Sequence, residues 1–258
     1  MSIPALFDLS GHAAVITGSS RGIGKAIAHR MAEHGASVVI SSRKIDACET
    51  AVAEINEAVG RDAAIPVACN ISSKDDCHAL IDAANTKYGK VDHLVCNAAS
   101  NPYYGPLADI GDEQFTKILQ NNIVSNHWLI QLVAPQMKER KDGTVTVVSS
   151  IGGLKASTVI GAYNISKAAD LQLVRNYAAE LGPDNIRVNA ICPGLIKTDF
   201  ARALWEDPDT LKAATAGSTL RRIGEPDEIA GMAVFLASKA GAFTSGQGLV
   251  IDGGATIT

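Results

Sequence analysis

Tyr163 and Lys167 lie four residues apart in a segment with helical spacing, so their side chains would share one face of a helix. A carbonyl that becomes an alcohol needs a proton at its oxygen, and a phenol can supply it. A free phenol titrates near ~10, and a neighbouring ammonium favours its ionised form. We therefore expect Tyr163 to act as an acid and base that Lys167 tunes. Taken alone, such a pair is common on surface helices.

A third polar side chain, Ser150, follows a strand-like apolar run and precedes Tyr163 by thirteen residues. At the carboxyl edge of a sheet, its hydroxyl could donate a hydrogen bond to a substrate oxygen as negative charge develops there. The alternative is an ordinary strand-end or N-cap serine. We expect the neighbouring Ser149 to face away from such a site.

Asn121 and Asn122 lie inside a predicted helix, where asparagine is unfavourable. One interpretation is a polar pair that faces the surface. The other is a side chain aimed inward, where it holds a water molecule that relays protons to Lys167. The residues alone leave both interpretations open.

A glycine-rich run at 17–24 (TGSSRGIG) follows an apolar strand pattern and opens a helical pattern. In this context a turn and a helix N-terminus can bind the pyrophosphate of a dinucleotide. Gly18 would allow the tight turn, Gly22 the approach of phosphate, and Gly24 the packing of the helix on the sheet. The alternative is a plain strand–helix turn. The cofactor contacts predicted from this run are Gly18, Ser20, Arg21, Gly22 and Ile23.

The second predicted strand ends in 40–44 (ISSRK), without the acid that would bind ribose hydroxyls and repel a 2′-phosphate. Arg43 offers a guanidinium fork to a phosphate and Ser42 a hydroxyl, while Arg21 could approach the same phosphate from the other side. The sequence therefore predicts NADP(H) as the cofactor. Other expected cofactor contacts are Asn70 and Ile71 at the adenine, Asn97, Ala98, Tyr163 and Lys167 near the nicotinamide ribose, and Pro193, Gly194, Ile196 and Thr198 at the carboxamide.

Short apolar runs rich in valine and isoleucine alternate with helical patterns along the chain. Strands without polar alternation are typical of a parallel sheet buried on both faces. We predict an α/β fold, a Rossmann-like doubly wound parallel sheet in a single domain over 1–258, with a substrate lid around the irregular stretch 195–224. The predicted strands are 13–17, 37–41, 64–68, 93–96, 144–148, 187–191 and 248–251, and the predicted helices are 22–34, 46–59, 74–88, 112–140, 163–181 and 226–237.

Composition argues against several classes of function. The 258 residues are 47 % hydrophobic and carry a net charge of −4, so we expect one large domain and no nucleic-acid partner. No apolar run is long enough to span a membrane, and no Cys/His cluster has metal-ligand spacing, so we expect neither membrane nor metal. The five cysteines are expected to be reduced thiols of a cytoplasmic protein.

Several apolar side chains in the loops suggest an uncharged, partly hydrophobic small-molecule substrate. Packing within the lid or a contact between subunits would explain them equally well. They are Tyr103, Tyr104, Leu154, Ile160, Phe200, Leu204 and Trp205.

Together these motifs resemble those of the short-chain dehydrogenases/reductases over nearly the full chain. The resemblance rests on the run 17–24, the turn at Asn97, the residues Asn122, Ser150, Tyr163 and Lys167, and the segments 193–198 (PGLIKT) and 251–254 (IDGG). It implies a Ser–Tyr–Lys catalytic set assisted by Asn122, and a homotetramer or, less often, a dimer in which the two longest helices pair. Two departures from the family pattern are 96–99 (CNAA), where NNAG is usual, and Asn70, where an acid is usual.

Within that family, segments 101–105 (NPYYG) and 193–231 resemble NADP-dependent carbonyl reductases that act on ketones and retinal-like carbonyls. The resemblance implies an NADP(H)-dependent carbonyl reductase or secondary-alcohol dehydrogenase. A 3-oxoacyl-thioester reductase or a sugar-acid dehydrogenase is the alternative. An acyl-carrier or phosphorylated substrate would require a basic patch near the lid. A cofactor-binding regulator without turnover is a third possibility, against which the intact Ser–Tyr–Lys set argues. The candidates for the basic patch are Lys197, Arg202, Arg221 and Arg222.

Overall fold

A seven-stranded parallel sheet forms the centre of the protein, whose computed structural model describes residues 3–258. The strand order is β3-β2-β1-β4-β5-β6-β7, so the chain reverses its direction of winding between β1 and β4. This is a doubly wound order, which confirms the predicted fold class. The strands are β1 (Ala13–Thr17), β2 (Ser37–Ser42), β3 (Ala64–Ala68), β4 (His93–Cys96), β5 (Gly143–Val148), β6 (Ile186–Pro193) and β7 (Gly248–Ile251).

Helices cover both faces of the sheet. They are α1 (Gly22–Glu33), α2 (Ile45–Val59), α3 (Lys74–Tyr88), α4 (Asp112–Leu119), α5 (Ser125–Arg140), α6 (Gly161–Leu181), α7 (Pro208–Thr215) and α8 (Pro226–Ala237). None of the helices in the described part of the chain combines the length and the apolar composition that crossing a bilayer requires.

Successive residues of the central strands enter opposite cores, which is why the strands are apolar throughout. Ile16 packs with α1, α2 and α8 on one face, whereas Val15 packs with α3, α5 and α6 on the other. In β2, Val38 and Ile40 join the first core and Val39 the second. Each face needs its own apolar set, so the period-two alternation of a half-exposed strand is absent.

The sequence predicts every strand to within two residues at each end, but it is wrong about two helical segments. The predicted helix 112–140 is interrupted by a π-helical turn, Gln120–Val124, which separates α4 from α5. The stretch 195–224, expected to be irregular, contains the 3₁₀ turn Asp199–Leu204 and the helix α7. Asp207 caps α7 by accepting a hydrogen bond from the Thr210 N–H, and Pro208 occupies its first turn.

The carboxyl ends of β1, β4, β5 and β6 meet at one edge of the sheet because all strands run parallel. Ligands of doubly wound sheets bind outside this edge, at the point where the strand order reverses. The glycine-rich turn follows β1, Asn97 follows β4, Ser150 lies two residues beyond β5, and Gly194 follows β6. The fold therefore brings segments that are remote in sequence to one crevice.

Candidate active site

The glycine-rich turn has the backbone shape of an anion cradle. Gly18 and Gly22 adopt positive φ angles of 64° and 58°, which side chains with a Cβ rarely adopt. At Gly24, a Cβ would lie 2.5 Å from both Asn97 Nδ2 and Gly18 O, so only glycine fits there. Helix α1 begins at Gly22 without a side-chain cap, which leaves its first N–H groups available to a ligand. These features fit a dinucleotide pyrophosphate.

Asn97 braces this turn from the neighbouring strand. Its Nδ2 donates to the carbonyls of Thr17 (2.9 Å) and Gly18 (3.1 Å). In return, the backbone N–H groups of Asn97 and Ala98 donate to the Thr17 hydroxyl at 3.0 and 3.1 Å. The side chain of Asn97 is thus committed to shaping the turn, and any contact with the ribose would come from the backbone.

The end of β2 carries no acid near the expected ribose phosphate. Arg43 is exposed and forms no hydrogen bond or ion pair within the described residues. The Ser42 hydroxyl contacts Lys44 O (3.2 Å) and Cys48 Sγ (3.1 Å). The guanidinium of Arg21 pairs with Asp199 at 2.9 Å, so its contact with a phosphate stays a prediction that requires this pair to open. That pair ties Arg21 to the 195–224 segment.

The expected adenine slot is an ordered loop held by its own polar groups. The Asn70 N–H donates to Asp76 Oδ2 (2.9 Å), and Asn70 Oδ1 accepts from the Ser72 hydroxyl (2.8 Å). Hydrogen bonds from Asn70 and Ser73 keep the pKa of Asp76 below its usual range. Ile71, half-buried, lies beside Asn70, so the loop offers one apolar side chain next to an amide.

Ser150 caps the short 3₁₀ turn Ile151–Gly153 and still has a proton to donate. The Gly152 N–H donates to its Oγ at 3.0 Å, so the hydroxyl acts as an acceptor there and its O–H stays free. The expected capping alternative and the expected donor role are therefore compatible. Ser149 faces the other way, as expected, and its hydroxyl donates to Lys167 O at 2.8 Å.

The 3₁₀ turn packs directly on α6 beside Lys167, which brings Ser150 to the helix that carries Tyr163. A Cβ at Gly153 would lie 2.7 Å from the backbone carbon and oxygen of Lys167. Lys167 Nζ lies 5.6 Å from the centre of the Tyr163 ring. The lysine is 2 % exposed, while Tyr163 is half-buried, so the phenol is the accessible member of the pair.

Asn122 faces inward, so the alternative of a surface pair is wrong for this residue. Its Oδ1 accepts from the Ser100 N–H (2.8 Å), and its Nδ2 donates to Ser100 O and Ser166 Oγ, both at 3.0 Å. The side chain thereby links the loop after β4 to α6 rather than facing Lys167. It is completely buried, and the π-helical turn around it accommodates this inward position.

Two residues that the sequence analysis missed complete this network. Asp170 lies one helical turn beyond Lys167, and its Oδ2 accepts from Lys167 Nζ at 3.0 Å. Asn126 Nδ2 donates to Asp170 Oδ1 (3.0 Å) and to the carbonyl of Asn122 (2.7 Å). The signal in the sequence was a lone acid among Ala168, Ala169 and Leu171 on a helix that packs against the sheet.

The 195–224 segment begins at a position that requires glycine and closes on itself. A Cβ at Gly194 would lie 2.7 Å from Asp252 Cα, in the segment that follows β7. Ile196 pairs with Gly224 as an isolated β-bridge, which brings both ends of the segment together. Thr198 lies over the glycine-rich turn, 3.2 Å from where a Cβ of Gly22 would be. The segment thus reaches across the crevice from a fixed base.

Of the apolar side chains proposed as a substrate lining, Phe200 lies against the candidate catalytic group. Its ring centre is 5.8 Å from that of Tyr163, and the residue is 59 % exposed. Tyr104 and Leu154 are exposed, and Gly105 bridges to Ile160, so the loops that carry them meet. Trp205 packs within its own segment, where its Nε1 donates to Thr198 O at 2.8 Å. Leu204 is half-buried in the same segment.

Among residues 3–258, acids pair with Arg202 and Arg222 of the candidate basic patch but not with Lys197 or Arg221. Arg202 pairs with Asp199 at 2.6 Å, and Arg222 forms a two-pronged pair with Glu228 at 2.6 and 2.7 Å. Lys197 Nζ lies 5.8 Å from the centre of the Trp205 ring. No group of three His, Cys, Asp or Glu side chains among residues 3–258 could hold a metal ion.

The chain matches the family model described as enoyl-(acyl carrier protein) reductase over residues 18–256. It is 40 % identical over 247 residues to dehydrogenase/reductase SDR family member 4 of Mus musculus, covering 95 % of this chain and 88 % of the mouse protein. The human protein of the same name is 38 % identical over the same shares of the two chains.

Two solved structures illustrate the range of cofactors among similar folds. A 7α-hydroxysteroid dehydrogenase complexed with NADH and 7-oxo glycochenodeoxycholic acid has a TM-score of 0.92 and 38 % identity, with 98 % of each chain covered. A gluconate 5-dehydrogenase from Burkholderia cenocepacia J2315, complexed with NADP and tartrate, has a TM-score of 0.92 and 31 % identity, again with 98 % of each chain covered.

Proposed function

Because the chain belongs to the short-chain dehydrogenase/reductase family, it is an NAD(P)-dependent oxidoreductase of CH–OH and C=O groups, and we propose that it reduces ketones with NADPH and oxidises secondary alcohols in reverse. The observation that carries the proposal is the packing of the Ser150 turn on α6 beside Lys167, with the accessible Tyr163 phenol on the same helix. When bound, the nicotinamide supplies or accepts the hydride.

Tyr163 moves the proton in this mechanism. As the substrate oxygen gains negative charge, the phenol donates its proton to that oxygen, and in the reverse direction the phenolate takes the proton back. The buried ammonium of Lys167 lies 5.6 Å from the centre of the Tyr163 ring, close enough to attract negative charge that develops on the phenol oxygen. Lys167 Nζ donates to Val148 O and Asp170, which leaves its third N–H for a ribose hydroxyl.

Ser150 orients the substrate oxygen. Its Oγ already accepts from the Gly152 N–H, so its O–H is available to donate to an incoming acceptor. A donor that is fixed before the reaction stabilises the developing charge without reorganisation. Asn122 is a positioning residue, since it holds the loop after β4 against α6 through Ser100 and Ser166.

The cradle fits a dinucleotide, and the end of β2 favours its 2′-phosphorylated form. Gly18, Ser20, Gly22 and Ile23 would hold the pyrophosphate, with Asn97 and Ala98 behind them and Pro193, Gly194, Ile196 and Thr198 across the crevice. Arg43, which is exposed and has no partner among residues 3–258, is the main candidate for the 2′-phosphate because no acid follows β2 to repel that phosphate. Arg21 joins it only after leaving Asp199.

An uncharged, partly hydrophobic ketone suits the side chains around Tyr163. Phe200 lies against the phenol, and Tyr104 and Leu154 are exposed apolar side chains on two of the loops. A phosphorylated or acyl-carrier substrate would need free cations, whereas Arg202 and Arg222 are paired with acids. This pairing favours the ketone over the thioester and sugar-acid alternatives.

We further propose a homotetramer in the cytoplasm. Ile165 on α6 is 43 % exposed, and an apolar residue of this helix would be covered if α6 pairs with a second copy. The five buried, free thiols suit a reducing compartment. Light scattering of the purified chain tests the assembly, with a mass of four chains expected.

The decisive experiment is a substrate panel with NADPH and NADH, followed by nicotinamide absorbance. The proposal expects oxidation of NADPH by aryl and aliphatic ketones, and slower oxidation of NADH. Activity with only 3-oxoacyl thioesters or sugar acids would replace the proposed substrate class. Cofactor binding without turnover of any carbonyl would indicate a regulator instead.

A further inference from the structure

A completely buried carboxylate lies directly behind the proposed acid–base pair. Asp170 is 0 % exposed and Lys167 is 2 % exposed, and they pair at 3.0 Å on consecutive turns of α6. Structural ion pairs are seldom this buried, because removing two charges from water is costly unless each is also hydrogen-bonded. Both are: Lys167 donates to Val148 O at 2.9 Å, and Asp170 accepts from Asn126 at 3.0 Å.

The titratable groups that face this pair from the neighbouring strands are two cysteine thiols. Burial raises the pKa of the Cys96 thiol on β4, and it raises the pKa of the Cys192 thiol on β6 to about 11. From α5, the facing group is the amide of Asn126, which does not ionise. On α6 itself, the titratable group beside Lys167 and Asp170 is the Tyr163 phenol. The balancing charge for the Lys167 ammonium therefore comes from Asp170.

We propose that Asp170 is a positioning residue that keeps the buried Lys167 protonated and aimed at Tyr163, an inference that rests on the proposed proton-transfer function. Burial alone opposes the ammonium, but the adjacent carboxylate, with further contributions from Tyr163 and Cys192, outweighs it, and the pKa of Lys167 lies above its ordinary value. Burial raises the pKa of Asp170 against the pull of Lys167 and Asn126. With Lys167 charged, the phenol has a cation beside it throughout the catalytic cycle.

The network also connects Asp170 to the helical irregularity at Asn122. Asn126 donates to Asp170 and to the Asn122 carbonyl, so one amide fixes both the carboxylate and the π-helical turn. Asn122 in turn reaches Ser166, whose hydroxyl donates to Tyr163 O at 2.7 Å. The carboxylate, the turn and the helix that carries Tyr163 thus form one hydrogen-bonded unit.

The test is the substitution Asp170→Asn, which keeps the shape and the bond to Asn126 but removes the charge. Without its counter-charge a fully buried lysine tends to lose its proton. The Tyr163 phenolate should then form about one to two pH units higher, because it loses a cation at short range. Ultraviolet difference titration of each protein against its own Tyr163→Phe version measures this midpoint without any turnover.

Two further variants separate charge from structure. Asp170→Glu keeps the charge and should leave the phenolate midpoint near that of the unmodified chain, even if it unfolds at a lower temperature. Glu180→Gln makes the same acid-to-amide change at an exposed position of α6 and should leave the phenolate midpoint unchanged. An unchanged or more acidic midpoint in Asp170→Asn, or equal shifts in Asp170→Asn and Asp170→Glu, would overturn the inference.

The same shift should appear in the pH profile of kcat for alcohol oxidation, which needs the phenolate. If the unmodified chain turns over no alcohol or carbonyl, the proposed function fails, but the difference titration still decides whether Asp170 holds the charge on Lys167. If the chain is active and the Asp170→Asn profile does not move, the inference about Asp170 fails while the proposed function stands.

Discussion

Arg21 and Asp199 form an ion pair, 2.9 Å between Nη1 and Oδ2, that joins the glycine-rich turn to the segment lying across the crevice. The two residues are far apart in sequence and belong to the two sides of the expected cofactor site. A cofactor phosphate and Asp199 would therefore compete for the same guanidinium. Since both side chains are largely exposed, at 74 % and 40 %, the pair is weak and readily exchanged.

The substitution Asp199→Asn releases both Arg21 and Arg202, and it should strengthen NADPH binding because Arg21 is then free for the phosphate. We expect the Kd of NADPH to fall about two- to five-fold and the Kd of NADH to stay unchanged, as measured by nicotinamide fluorescence. Asp209→Asn, at an exposed position of α7, is the matched control. An equal change for both cofactors, or no change for NADPH, would mean that Arg21 does not contact the phosphate.

Arg43 should determine cofactor preference more strongly than Arg21, because it is free of internal partners in the described structure. Arg43→Glu should raise the KM for NADPH at least about ten-fold through repulsion of the 2′-phosphate and leave NADH turnover intact or improved. Lys87→Glu makes the same charge reversal at the end of α3, beside the opposite edge of the sheet, and should have little effect. Steady-state kinetics with both cofactors measure the result, and parallel losses with NADPH and NADH would contradict it.

His93 should make the protein sensitive to mild acid. Burial holds the pKa of this imidazole well below its usual range, and it contacts His12 and Thr144, each at 2.8 Å. Below about pH 6.5 the unfolded chain binds a proton that the native imidazole does not, so stability is full above that pH and falls as the pH is lowered. Well below that pH, His93 should lower the free energy of unfolding by about 1.4 kcal/mol for each pH unit.

Denaturant unfolding at several pH values tests this slope. His93→Gln should flatten the fall in the free energy of unfolding below pH ~6.5, whatever its effect at neutral pH. His78→Gln, at an exposed position of α3, should leave the slope unchanged. A slope that persists in His93→Gln would show that another group is responsible.

The parts of the site that sequence alone predicts are those encoded by local spacing. The positive φ angles of Gly18 and Gly22 and the shared helical face of Tyr163 and Lys167 depend on a few neighbouring residues. The seven strands follow from unbroken apolar runs for the same reason. These features need no knowledge of which distant segments meet.

What the sequence missed depends on contacts between distant segments. The pairing of Arg21 with Asp199 and the link from Asn126 to Asp170 join residues of different elements, so no spacing rule contains them. The π-helical turn at Asn122 coincides with hydrogen bonds from the buried amide to Ser100 and Ser166, which lie in other parts of the chain. The apolar periodicity does not predict helix α7, because the helix is only eight residues long. Its start is nevertheless recognisable in the sequence from Asp207 and Pro208.

Replacement of Tyr163 by phenylalanine tests the central claim most directly, because it removes one hydroxyl and keeps the ring that contacts Phe200. NADPH-dependent ketone reduction by Tyr163→Phe should fall at least about a hundred-fold, while NADPH affinity stays within about two-fold. Tyr88→Phe, on α3, should retain full activity. Turnover near that of the unmodified chain in Tyr163→Phe would contradict the assignment of this phenol as the group that moves the proton.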